Sequence, residues 1–195
     1  MIQRYTRPAM GGIWSDLHKY ECWLEVEIAA SEALAELGQV PAEAAHALRA
    51  QAGFELKRIQ EIESEVKHDV IAFTTAVSET MRARGAGDAS RWLHYGLTSN
   101  DVVDTAQALQ IKNASALIAA GLDTLLASLR KLAFAHQHTV QIGRTHGMHA
   151  EPILAGVDEQ VLISNLTTHP PQGPRTWRST SNSAHVASSS EWARS

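Results

Sequence analysis

Histidine is the side chain whose unperturbed pKa lies nearest neutrality, so histidines set in glycine-punctuated segments are candidates for proton transfer. The chain has ten of them, and the sharpest setting is Gly143-Arg144-Thr145-His146-Gly147-Met148-His149-Ala150-Glu151-Pro152. Two glycines bracket Arg144, Thr145 and His146, which predicts an irregular loop, and Pro152 predicts the opening of a further helix. His146 and His149 make no metal site: no cysteine lies near, Glu151 is the one neighbouring carboxylate, and the spacing matches no closed zinc set. A second segment, Lys67-His68-Asp69-Val70, stands at a predicted helix start, where Asp69 caps or favours the positive end while Lys67 and His68 point beyond it. In a third, His94-Tyr95-Gly96-Leu97-Thr98-Ser99-Asn100-Asp101, the hydroxyls of Thr98 and Ser99 and the free amides of the next turn suit a carboxylate or phosphate. Arg4-Tyr5 at the start of the chain sets a guanidinium beside a phenol, good phosphate chemistry. Taken singly, each segment also reads as a solvated helix end, a plain cap or a solvated terminus.

These groups need helices to hold them, and the apolar pattern is helical nearly throughout. Ser15 predicts the cap of a helix carrying Leu17, Tyr20, Leu24, Ile28, Ser31 and Leu34 at steps of three and four, stopped by Gly38. Pro41 opens a short helix to about Ala52. Leu56, Ile59 and Ile62 mark another, and Val70, Phe73, Val77 and Met81 a fourth that ends before Arg84, with a loop to about Ser99. Thr98 or Ser99 caps the longest element, which runs to about His136. Its second half, Ala114 to Phe134, is apolar on almost every side, and such a helix must be surrounded. The fold class predicted is all-α: an N-terminal helical domain over 1–97 and the start of a long-helix bundle over 98–163, incomplete in this chain. The bundle is expected to be completed by other copies or by further elements.

Composition narrows the function classes. Lys and Arg number 17 against 21 Asp and Glu, a net charge of −4 that argues against a nucleic-acid binder. A single cysteine, Cys22, excludes an intramolecular disulfide framework and fits a reducing compartment, so the cytoplasm is expected. The first ten residues hold two arginines and no apolar run, which predicts no secretory signal, and no stretch is apolar enough to predict a membrane role. From Ser164 to Ser195 the chain carries eight Ser and four Thr, with Leu166 and Val186 its only aliphatic residues beyond alanine. That tail is expected to be disordered.

In order, the four segments resemble those of the adenylosuccinate lyases, a family of the fumarase/aspartase superfamily. The resemblance covers residues 1 to about 156. It implies β-elimination of fumarate from adenylosuccinate, giving AMP, and from the succinylated carboxamide ribotide of purine biosynthesis. It further implies no metal or organic cofactor, a small-molecule substrate and a homotetramer. By the same resemblance His146 is the general acid for the departing nitrogen and Thr145 a ligand for a substrate carboxylate. His68, with Lys67 and Asp69, corresponds to the second active-site histidine region. His94, Thr98 and Ser99 correspond to ligands for phosphate or succinyl carboxylates, and Arg4 with Tyr5 to the nucleotide-phosphate contact. The family's carbon-proton base is a serine on a loop reading Ser-Ser-x-Met-Pro-x-Lys-x-Asn-Pro, and these 195 residues contain no such motif. The composition change after Gly156 is that of an out-of-frame reading, so a truncated and inactive chain is expected. Two alternatives are another superfamily lyase, such as argininosuccinate lyase, and a non-catalytic helical oligomerisation fragment.

Overall fold

The computed structural model describes residues 2–156 and 162–164. The predicted tail therefore lies, Ser164 apart, outside the described residues. A 3-10 turn at Gln3–Tyr5 leads into α1 (Pro8–Ile13), α2 (Asp16–Glu36), α3 (Ala42–Gln51), α4 (Leu56–Val66), α5 (Asp69–Ala83), α6 (Gly87–Ser90) and α7 (Ser99–Ala135). The chain then forms a hairpin of β1 (Val140–Thr145) and β2 (Met148–Leu154).

The helix boundaries follow local chemistry. The Ser15 hydroxyl accepts from His18 N–H at 3.2 Å and caps α2. At α7 the Asp101 side chain reaches back to the Thr98 N–H at 2.7 Å, so the helix begins at Ser99. Within α2 the buried residues are Tyr20, Cys22, Trp23, Glu27, Ile28 and Ser31, while Leu17 is exposed. The buried stripe is thus rotated toward Trp23 and Glu27 from the Leu17-based stripe that spacing predicts, because a large aromatic cluster lies on that side.

That cluster is the centre of the core. Phe73 of α5 is fully buried, stacks on Tyr20 at 5.7 Å between ring centres, and meets Trp23 edge-on at 5.5 Å and Phe54 at 5.9 Å. Ile59 of α4 and Val77 and Met81 of α5 complete it. Arg49 of α3 grips Glu32 of α2 with two nitrogens at 2.8 and 2.7 Å and Glu25 with a third at 2.7 Å, and Arg58 of α4 does the same to Glu79 of α5 at 2.8 and 3.0 Å.

The long helix is covered only along part of its length. Its first half packs on α2, burying Val102, Ala106, Gln110 and Ala114, and the Gln110 amide donates to the Ile13 carbonyl at 2.8 Å, which ties the N-terminal segment to it. In its second half Leu117, Ile118, Leu125, Leu132 and Phe134 are exposed, Phe134 at 73%. No helix among the described residues is long and apolar enough to cross a membrane.

Two expectations are corrected. Residues 84–98 are not wholly loop, since α6 occupies part of them. Pro152 does not open a helix: it lies in β2 opposite Ile142. A proline donates no N–H to a ladder, and a two-stranded hairpin leaves each strand one unpaired edge where that costs little. Phe73→Ala, which empties the cluster's centre, is expected to lower the unfolding free energy by about 3–5 kcal/mol. Urea denaturation checks this through a lower midpoint at unchanged slope; a loss under about 1 kcal/mol would remove Phe73 from its central role.

Candidate functional site

The sequence-predicted residues fall at four stations, each at the end of an element. Arg4 and Tyr5 lie in the 3-10 turn, where the Arg4 guanidinium sits 4.9 Å from the Tyr5 ring centre and both side chains are exposed. Lys67, His68 and Asp69 form the corner between α4 and α5. Lys67 ends α4 with a left-handed backbone, and His68, not Asp69, is the cap of α5: its Nδ1 accepts from the Ile71 N–H at 3.4 Å. Asp69 is the first helical residue and accepts from the Val70 N–H at 2.8 Å, where it also faces the helix's positive end.

His94, Thr98 and Ser99 form the entry to α7. The Thr98 hydroxyl donates to Asp101 at 2.8 Å, so its proton is already engaged; the Thr98 N–H, bound to the same carboxylate, holds the Asp101 carboxyl below its ordinary range. His94 is held from the opposite side by Glu27 of α2, a fully buried residue. Glu27 accepts the His94 main-chain N–H at 2.8 Å, and its other oxygen lies 2.6 Å from His94 Nδ1. Burial pushes the Glu27 carboxyl above the ordinary glutamate value, and the hydrogen bonds and charge of His94 oppose that rise. The Ser31 hydroxyl, one turn further along α2, donates to the Trp92 carbonyl at 3.3 Å and secures the same segment.

Thr145, His146 and Gly147 form the fourth station, at the hairpin tip. Thr145 pairs with Met148, so His146 and Gly147 are the two turn residues, with φ of 51° and 75°. Positive φ at both central residues is the type I′ turn that matches strand twist, and Gly147 supplies one of them without strain. Gly143 is needed for a different reason: a Cβ there would stand 2.9 Å from the Glu151 carbonyl oxygen, across the irregularity that separates Ile142 and Arg144 in register. The irregular loop expected here is therefore a bulged hairpin, with His146 exposed at its end. Its base is fastened to the end of α7 by the Ala155 N–H on the Thr139 carbonyl at 2.9 Å and the Gly156 N–H on His136 at 3.3 Å.

Among the described residues, no hydrogen bond, ion pair or ring contact joins one station to another. One backbone property does unite three of them. The non-glycine residues with left-handed φ among the described residues are Lys67 at 57°, His94 at 62° and His146 at 51°. This conformation is uncommon for non-glycine residues and concentrates where function requires it. Glu27 is the residue that sequence reasoning misses. Its signal was present, a carboxylate one helical turn from Trp23 and Ser31 on an apolar face, where charges are rarely placed without a partner.

A model of the lyase family, described as "Lyase", matches residues 3–169, some way beyond Gly156. The chain is 50% identical over 166 residues to an adenylosuccinate lyase of Streptococcus mutans, covering 85% of this chain and 37% of that protein. It is 51% identical over 156 residues to that of Synechocystis sp., covering 80% of this chain and 35% of the relative. Among solved structures, a fumarate lyase from Mesorhizobium sp. BNC1 superposes with a TM-score of 0.73 at 32% identity, over 82% of this chain and 37% of that one. The chain thus spans a little over a third of the length of the curated relatives it matches. It belongs to this lyase family, in the fumarase/aspartase superfamily, and corresponds to the N-terminal portion of its adenylosuccinate lyases.

Proposed function

We propose that this chain carries the N-terminal share of an adenylosuccinate lyase site, eliminating fumarate from adenylosuccinate to leave AMP, and from the succinylated carboxamide ribotide. The observation that carries the reading is the coincidence of motif and backbone: Lys67, His94 and His146 each stand in a family motif and each hold a left-handed backbone. In the elimination a base removes a carbon-bound proton, the carbon–nitrogen bond breaks, its electrons pass to nitrogen, and an acid protonates that nitrogen. His146 is the acid, presented at the hairpin tip, with Thr145 beside it for a substrate carboxylate. His68 orients substrate with Lys67 and Asp69. His94 and Ser99 meet phosphate or carboxylate oxygens, while Thr98, whose hydroxyl and N–H are both held by Asp101, serves the site by capping α7; Arg4 with Tyr5 meets the nucleotide phosphate. The chemistry needs no metal or organic cofactor, since proton transfer and charge stabilisation suffice.

A homo-oligomer, a tetramer by family resemblance, accounts for the exposed Leu117, Ile118, Leu125 and Leu132 of α7 as subunit contacts. The carbon-proton base is the serine of the loop whose motif these 195 residues do not contain.

Two outcomes are expected. The polypeptide 1–195 alone releases no fumarate from adenylosuccinate, whereas turnover at ordinary enzymatic rates, roughly 1–10³ per second, would sink this division of labour. In an intact relative carrying residues 1–156 of this chain, His146→Gln lowers kcat by about 10²–10⁴-fold with a smaller change in binding. If only affinity falls, His146 is a binding residue and not the acid.

A further inference from the structure

Glu27 is the buried titratable group that the proposed reaction leaves unused. A carboxylate buried in an apolar helix face is unfavourable unless its oxygens are satisfied, and the partners here come from one residue 67 positions away in sequence. Packing alone would be served by an uncharged side chain of similar size. What the carboxylate provides is two acceptors and no donor. One oxygen takes the His94 main-chain N–H at 2.8 Å, and this holds the backbone in its left-handed conformation. The other lies 2.6 Å from Nδ1, a distance that for an ionised carboxylate requires the ring proton between them. The His94 side chain is 26% exposed, and its Nε2 has no protein partner among the described residues.

We propose that Glu27 is a positioning residue: by accepting both the main-chain N–H and the Nδ1–H of His94, it fixes the proton of the neutral ring on Nδ1 and reserves Nε2 for the substrate. The inference rests on the reading of His94 as a substrate ligand. Nε2 then accepts a hydrogen bond when the ring is neutral. When the ring is protonated it donates to a carboxylate or phosphate oxygen, while Nδ1 remains bound to Glu27 in both states. Asp101, a second carboxylate within electrostatic range of His94, is occupied by Thr98.

The test is the tautomer of His94, read with and without the Glu27 carboxylate, together with the response of the ring to a substrate fragment. Chain 1–195 labelled with ¹⁵N in its histidines is examined by long-range proton–nitrogen correlation near pH 8.5, about two units above the ordinary histidine pKa. The His94 signals are assigned by their loss in His94→Asn. The wild-type ring is expected to carry its proton on Nδ1. In Glu27→Gln a single oxygen serves two donors, so it keeps the main-chain N–H, the amide NH₂ faces Nδ1, and the ring proton moves to Nε2. A wild-type ring protonated on Nε2, or the same tautomer in both proteins, overturns the proposal; if the variant does not fold, the wild-type spectrum alone decides. Titration with fumarate forms a separate arm, run in the intact relative carrying residues 1–156 of this chain, where the rest of the site is present. A shift of the His94 signals supports the substrate-ligand reading. Its absence overturns that reading and with it the reservation of Nε2 for substrate, while the tautomer still reports whether Glu27 fixes the proton.

Discussion

One face of α2 must bury an aromatic pair and a carboxylate together, and most of the domain is arranged to make that possible. Tyr20 and Trp23 demand apolar partners, which Phe54 and Phe73 supply, while Glu27, one turn further along, demands donors, which His94 supplies. The apolar half of that face recruits α4 and α5, and the polar half recruits the segment before α7. Since α4 and α5 meet at Lys67–Asp69 and α7 starts at Ser99, the same helix face fixes two of the four stations. Placing site residues at element ends in this way leaves their backbones free of the helical ladder, so each can adopt the conformation its role requires.

The three site histidines are held by different means. His68 spends Nδ1 as an acceptor in a helix cap, which directs any proton on the neutral ring to Nε2. His94 faces a buried carboxylate. His146 is oriented by a two-residue turn and, among the described residues, is held by backbone geometry at the end of an exposed hairpin. Identical side chains with such unlike partners are the usual means by which one fold assigns distinct proton-transfer roles.

Much of this was legible in the sequence because much of it is local. Ser15, Pro41, Thr98 and the spacing of Val70, Phe73, Val77 and Met81 mark helices through capping and periodicity, which depend on neighbours three or four residues away. The motifs at residues 67–69, 94–99 and 143–152 gave the site candidates for the same reason. What escaped was settled by partners distant in sequence or by competing local rules. The hairpin was hidden because Pro152 and two glycines argue against a strand, and only the pairing of Ile142 with Pro152 on a ladder edge reconciles them. Glu27 was hidden because its role is given by a residue in another element, and the cap at residue 68 because histidine caps a helix far less often than the aspartate that follows it.

The partial covering of α7 has a mechanical consequence. The helix is gripped by α2 up to Ala114 and carries the hairpin on its far end, some 21 residues or about 30 Å away at 1.5 Å per residue. It is a lever with His146 at its tip. A tilt of about 5° at the gripped end would swing the tip by roughly 3 Å over that length, and misplacement of a catalytic group by about 1 Å can cost around 10²-fold in rate. The aromatic core, however well packed, lies on the wrong side of the fulcrum to set the aim of His146. That accuracy has to be supplied by whatever braces Leu117 through Phe134, so the apolar surface along the lever is also the surface that sights His146.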